Sequence, residues 1–114
     1  MADGCIFCRI AGGEIPAQIV FQDEELVVFR DLAPKAPTHL LIIPRRHVAS
    51  LAETGPEDRE LLGKLLQRAV ETARQEGLEK GFRTVINTGP DGGQTVGHLH
   101  LHVVGGRQMT WPPG

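Results

Sequence analysis

Apolar residues fall into short extended runs and one long helical pattern. "AQIVFQ" (17–22) and "ELVVFRD" (25–31) are rich in Val, Ile and Phe. The acidic pair Asp23-Glu24 separates them, so they read as two strands of a hairpin. "THLLIIP" (38–44) gives a third strand, and its unbroken apolar run from Leu40 to Ile43 marks it as covered on both faces and central in its sheet. Between Pro56 and Gly77, Leu61, Leu62, Leu65, Leu66, Ala69, Val70 and Ala73 recur every three or four residues, the period of an amphipathic helix. Thr54 with Glu57 fits a capping box at its start, and Gly77 fits a left-handed stop at its end. A shorter helical turn is expected over Ile6–Ala11, closed by Gly12-Gly13 before Pro16 forces an extended path. "FRTVINT" (82–88) and "HLHLHVV" (98–104) complete five strands around the Gly-rich "GPDGGQTVG". The expected fold is α+β: a five-stranded, mainly antiparallel sheet with one long helix and a short N-terminal helix.

The last of these runs carries the chemistry. In a strand, side chains at every second residue share a face, so His98, His100 and His102 line up about 6.6 Å apart per step while Leu99, Leu101 and Val103 face the other way. Three readings compete. The face is a polar strand surface that happens to be histidine, although Thr, Ser, Lys or Glu are the usual choices there. Alternatively, two imidazoles converge on a metal, as in cupins; the following "HVVGGRQM" lacks the carboxylate such a site needs. In the third, one imidazole is a nucleophile and its neighbours hold and protonate the reacting group, which requires an anion pocket nearby. "GPDGGQTVG" offers one: Gly89, Gly92 and Gly93 beside Gln94 and Thr95 could aim backbone N–H groups and a hydroxyl at a phosphate. Read alone, the same loop is an ordinary hairpin turn.

Bulk composition narrows the partners. With 114 residues, 40% hydrophobic and 23% charged, the chain fits one domain over residues 1–114. A formal net charge of −2 and a pI near 6.2 give no general attraction to nucleic acid or to acidic membranes. The N-terminus shows neither a leader pattern nor an apolar span, so a cytoplasmic location is the default expectation. Two cysteines three apart form no disulfide framework; Cys5 and Cys8 read as half a metal site, a redox pair or two buried thiols.

These stretches resemble the histidine triad (HIT) family, whose mark is His-x-His-x-His followed by apolar residues. Beyond "HLHLHVV", the stretches "IFCRIAGGEIPAQIVFQDE", "FRDLAPKAPTHLLIIPRRH", "GFRTVINTGPDGGQTVGHLHLHVVGGRQM" and "WPPG" look like its Hint branch, and together they span nearly the whole chain. The resemblance implies a homodimer with one sheet continued across the interface, binding purine nucleoside monophosphates such as AMP or GMP. It also implies hydrolysis of the P–N bond of purine nucleoside phosphoramidates through a nucleotidyl-histidine. Alternatives are a nucleotide-binding or regulatory module with slow turnover, and a dinucleoside polyphosphate hydrolase.

Carried over residue by residue, the resemblance implies His100 as nucleophile and His102 as the phosphate donor near the leaving group. His39 would sit behind them and help pass protons. Asn87, Gly93, Gln94 and Thr95 would complete a phosphate cradle, and Asp31, followed by Leu32, would bind the ribose hydroxyls. Phe7, Ile15, Phe29 and Leu41 would form the base pocket, though as single residues they read as core. Trp111 would reach the partner subunit's site; its plainer reading is an exposed tail residue. For the cysteines, members of the wider family that carry C-x-x-C imply a structural zinc held by Cys5, Cys8, His47 and His98, with no cofactor needed for the chemistry. A zinc-bound His98 could not also shuttle protons, so ligand and relay compete for that ring.

Overall fold

The computed structural model describes residues 4–114; residues 1–3, which open the segment read above as lacking a leader pattern, lie outside the described residues. In chain order the elements are α1 (Ile6–Ala11), β1 (Ile19–Gln22), β2 (Leu26–Arg30), β3 (Thr38–Pro44), α2 (Arg59–Gln75), β4 (Phe82–Val85) and β5 (Leu101–Gly105), with 3-10 turns at Leu51–Glu53 and Pro56–Asp58. The strands form one antiparallel sheet in the order β1-β2-β3-β5-β4. This is the expected α+β architecture. β3 is central, and its apolar run is buried throughout: Leu40 and Ile42 face the α2 side, while Leu41 and Ile43 face the α1 side. Covering both faces removes the need for a polar alternate position, which is why the run does not alternate.

Several boundaries move for local reasons. The first hairpin turns where Asp23 Oδ1 accepts the N–H groups of Glu25 and Leu26, satisfying amides that the ladder does not reach. α2 begins later than the apolar period suggests, because Pro56–Asp58 makes a 3-10 turn first. The Thr54/Glu57 box does not form: Thr54 Oγ1 donates to the Leu51 carbonyl, and Asp58 instead accepts the Gly55 N–H. Gly77 does end the helix in the left-handed region, with φ of 72°. α2 lays Leu65 and Ala69 against the sheet, in one core with Leu99, Leu101 and Val103, and buries Thr72 and Ala73 further along.

The histidine run is only partly strand. β5 starts at Leu101, paired with Ile42, and the next pairing upstream would need an N–H from Pro44, which has none. Residues 98–100 therefore leave the ladder, and Leu99 N–H donates to the Val48 carbonyl instead. The two-residue alternation of side chains persists: Leu99, Leu101 and Val103 point to the α2 core, whereas His98 and His100 lie edge-on to Phe7 of α1.

Candidate active site and metal site

His100 is buried, and its Nδ1 lies 2.7 Å from the carbonyl oxygen of His98. A carbonyl only accepts, so Nδ1 carries the proton and Nε2 keeps a lone pair. Phe7 packs edge-on to the ring at 5.1 Å between centroids, and His102 flanks it at 5.0 Å. The ring is thus held in one tautomer and between two walls.

A second chain of hydrogen bonds fixes the other imidazoles. The Lys35 backbone N–H donates to His39 Nδ1 at 3.0 Å, which leaves the His39 proton on Nε2. That Nε2–H lies 2.9 Å from His102 Nδ1, so the neutral His102 carries its own proton on Nε2. Asp31 Oδ2 is 3.5 Å from the same His39 Nε2. Burial pushes His39 below its usual value against the pull of Asp31. His102 is pushed down to about 4, by burial first and then by His100 and His39. Both rings are neutral at physiological pH. The signal for His39 was a lone histidine at a strand entry; the Lys35 amide that sets its tautomer left none, because any residue but proline supplies an N–H.

Cys5 and Cys8 come together with His47 and His98. Their ligand atoms all lie within 4.8 Å of one another, although 93 positions separate Cys5 from His98. The sulfur of Cys5 is 3.3 Å from His98 Nδ1, that of Cys8 is 3.2 Å from His47 Nδ1 and 3.6 Å from His98 Nδ1, and the two Nδ1 atoms are 3.2 Å apart. Metal bonds of about 2.0–2.3 Å place tetrahedral ligands about 3.3–3.8 Å apart, so these spacings fit a four-coordinate ion with little movement. The second nitrogen of His98 donates to the Pro44 carbonyl at 2.8 Å, the outer contact that orients a ligating imidazole. Both ring nitrogens of His98 are therefore committed away from His100. What His98 offers the triad is its backbone carbonyl.

The remaining site residues divide. Asp31 uses Oδ1 to accept the Ala33 N–H at 2.8 Å, keeping lone pairs for further donors. Asn87 Nδ2 donates to the Gly92 carbonyl, and the N–H groups of Gly93 and Gln94 close the loop on Pro90 and Gly89. The Gln94 side chain is spent as well: its amide donates to the Ala49 and Val96 carbonyls and its oxygen accepts the Gly89 N–H. Thr95 is exposed, and its hydroxyl has no hydrogen-bond partner among the described residues. Phe7, Phe29 and Leu41 are buried together with Ile15 packed on them, the two Phe rings 5.5 Å apart. Leu32 and Trp111 stand out from the chain, 91% and 82% exposed. The structure thus gathers the histidines, Asp31 and the Cys/His set, while the Leu32 and Trp111 side chains stand out in solvent.

Fold and site define a histidine triad protein, and the chain belongs to that family: the HIT domain model matches residues 12–109. It is 54% identical over its whole length to an uncharacterised HIT-like protein of Synechococcus elongatus, and 54% identical over 103 residues to HitA of Neisseria gonorrhoeae (90% of this chain, 96% of that one). A HIT family hydrolase from Legionella pneumophila superposes with a TM-score of 0.96 at 55% identity, over 97% of this chain and all of that one. A Zn-bound histidine triad protein from Mycobacterium smegmatis gives 0.78 at 38% identity, over 91% of this chain and 76% of that one. A histidine triad nucleotide-binding protein from Candida albicans gives 0.82 at 29%, over 96% and 83%. The chain thus has the fold of HIT hydrolases and nucleotide-binding proteins. Among the described residues, no helix is long and apolar enough to cross a membrane.

Proposed function

We propose that this chain is a cytoplasmic, Hint-branch hydrolase of purine nucleoside 5′-phosphoramidates, binding AMP-like nucleotides and working through a nucleotidyl-His100. The observation that carries the reading is the 2.7 Å bond from His100 Nδ1–H to the His98 carbonyl, which leaves Nε2 as a free lone pair beside His102. His100 Nε2 attacks phosphorus and the P–N bond breaks. The departing amine takes a proton from His102 Nε2, in its imidazolium form, which the incoming phosphoryl charge favours over the neutral ring. Water then attacks phosphorus, the bond to His100 breaks, and His102 takes the water proton. Thr95 and the second Asn87 Nδ2–H hold the phosphoryl oxygens beside the loop that Gly93 and Gln94 close, while Asp31 accepts from the ribose and the Phe7, Ile15, Phe29, Leu41 cluster meets the base.

Cys5, Cys8, His47 and His98 would hold a zinc ion whose closed four-ligand shell supplies structure and no chemistry. A homodimer is supported by β4, an edge strand with Phe82 half out in solvent, and by the large exposed ring of Trp111. Sheet continuation through β4 would cover that edge. The test is turnover of an adenosine 5′-phosphoramidate by wild type and His100→Asn, with mass spectrometry for a nucleotidyl adduct. Loss of turnover and adduct in the variant is expected. Undiminished turnover overturns the nucleophile, and negligible wild-type turnover with tight AMP binding makes the chain a binding module.

A further inference from the structure

The hydrogen bonds around His102 leave one proton without a place. In the neutral site His39 Nε2–H donates to His102 Nδ1. Once His102 becomes an imidazolium, Nδ1 also carries a proton, and two N–H groups meet head to head across 2.9 Å. His39 cannot respond by moving its proton to Nδ1, because the Lys35 N–H already donates there. Its Nε2–H needs another acceptor, and Asp31 Oδ2 is 3.5 Å away.

We propose that Asp31, besides accepting from ribose, is a positioning residue for proton transfer: it takes the His39 Nε2–H when His102 gains a proton on Nδ1, keeps it while His102 Nε2 gives its proton to the amine and takes one from water, and releases it only when Nδ1 is bare again. The inference rests on the reading of His102 as the proton donor. No bond between heavy atoms changes; the His39 proton stays on Nε2 and swings between two acceptors. Asp31 Oδ1 stays anchored to the Ala33 N–H, so Oδ2 is held in place for this second role. The charged groups facing the pair are few: Asp31 favours the cationic form, whereas His100 opposes it at His102 and the Lys35 ammonium opposes it at His39. Among the described residues, Asp31 is thus the one charged group facing the pair that stabilises the state needed to expel an amine.

A substrate without the ribose hydroxyls separates the two roles of Asp31. The variant is Asp31→Asn, whose side-chain oxygen still accepts from Ala33 and keeps the turn. With 2′,3′-dideoxyadenosine 5′-phosphoramidate, a purely sugar-binding Asp31 predicts equal kcat for wild type and variant, whereas the relay predicts a loss of about tenfold. Nitrogen NMR of the imidazoles in the substrate-free protein gives the second readout: the acid titration of His102 moves down by about one pH unit in Asp31→Asn and returns toward wild type in Asp31→Glu. Equal kcat on the dideoxy substrate, or an unmoved titration, overturns the proposal. The titration needs no turnover, so failure of the phosphoramidase reading would leave it standing as a separate result.

Discussion

His98 and His100 are joined by a single hydrogen bond that ties two sites together: the carbonyl of His98 fixes the His100 tautomer while the His98 ring faces Cys5, Cys8 and His47. Phe7 strengthens the tie, since it lies on α1, between the two cysteines, and packs edge-on against both rings. On the proposed reading, removing zinc from the Cys/His set should therefore loosen His100 as well as the N-terminal turn. Protein purified without added zinc is expected to hold about one zinc per chain by elemental analysis. Cys5→Ser is expected to lose the metal, melt earlier, and lose kcat more than it raises KM. A wild-type chain that holds no metal sinks this prediction outright.

On the proposed mechanism His102 protonates the departing amine, so its loss should depend on which amine leaves. His102→Ala is expected to lower kcat by about 10²–10³-fold on alkylamine phosphoramidates. On aryl amines of low basicity, which leave without help, the loss should shrink toward about tenfold. A uniform loss across a leaving-group series would place His102 in phosphate binding alone.

Gly92 is where the Gly-rich loop closes on itself. A Cβ there would sit 2.2 Å from the Thr88 carbonyl oxygen and 2.8 Å from the Thr88 nitrogen, both backbone atoms that cannot turn aside. Gly92→Ala must open the loop and break the Asn87 contact to the Gly92 carbonyl. Calorimetry with AMP should show binding weakened by about 1–2 kcal/mol, about 5- to 30-fold in Kd. Gly97→Ala, whose Cβ meets nothing within 4 Å, is the matched control and should bind as wild type does.

The elements that were legible in sequence are those whose signal is periodic. The unbroken run of β3, the three-four spacing of α2 and the Gly77 stop each state a burial pattern or a backbone requirement directly. The start of β5 was not legible, because it depends on a proline in another strand meeting it at one register. The same limit applies in the site. The alternation of His98, His100 and His102 was visible, yet what orients each ring is the carbonyls of Pro44 and His98 and, through His39, the Lys35 amide, which no side-chain pattern encodes. Gln94 shows the reverse error: the residue type suits phosphate, but its amide is spent bracing the loop to Ala49.

The depressed His102 also makes a stability prediction whose sign can be worked out. Its folded value is about 4, below the ordinary 6.5, so between those pH values the unfolded chain binds more protons than the folded one. Stability then rises with pH through this window: nothing is lost above about 6.5, and the full cost is reached below about 4. A shift of this size is worth at most about 3 kcal/mol, less whatever the half-buried ring recovers by relaxing toward water. His102→Gln, which keeps a polar side chain of similar reach and cannot titrate, should flatten that part of the curve. Urea unfolding of both proteins at pH 7.5 and 4.5, with zinc present throughout, isolates the difference from any titration of the Cys/His set. Equal acid losses in the two proteins would mean that His102 titrates normally in the folded state, and with it would go the neutral, Nε2-protonated form of the ring on which the hydrogen-bond chain from Lys35 depends.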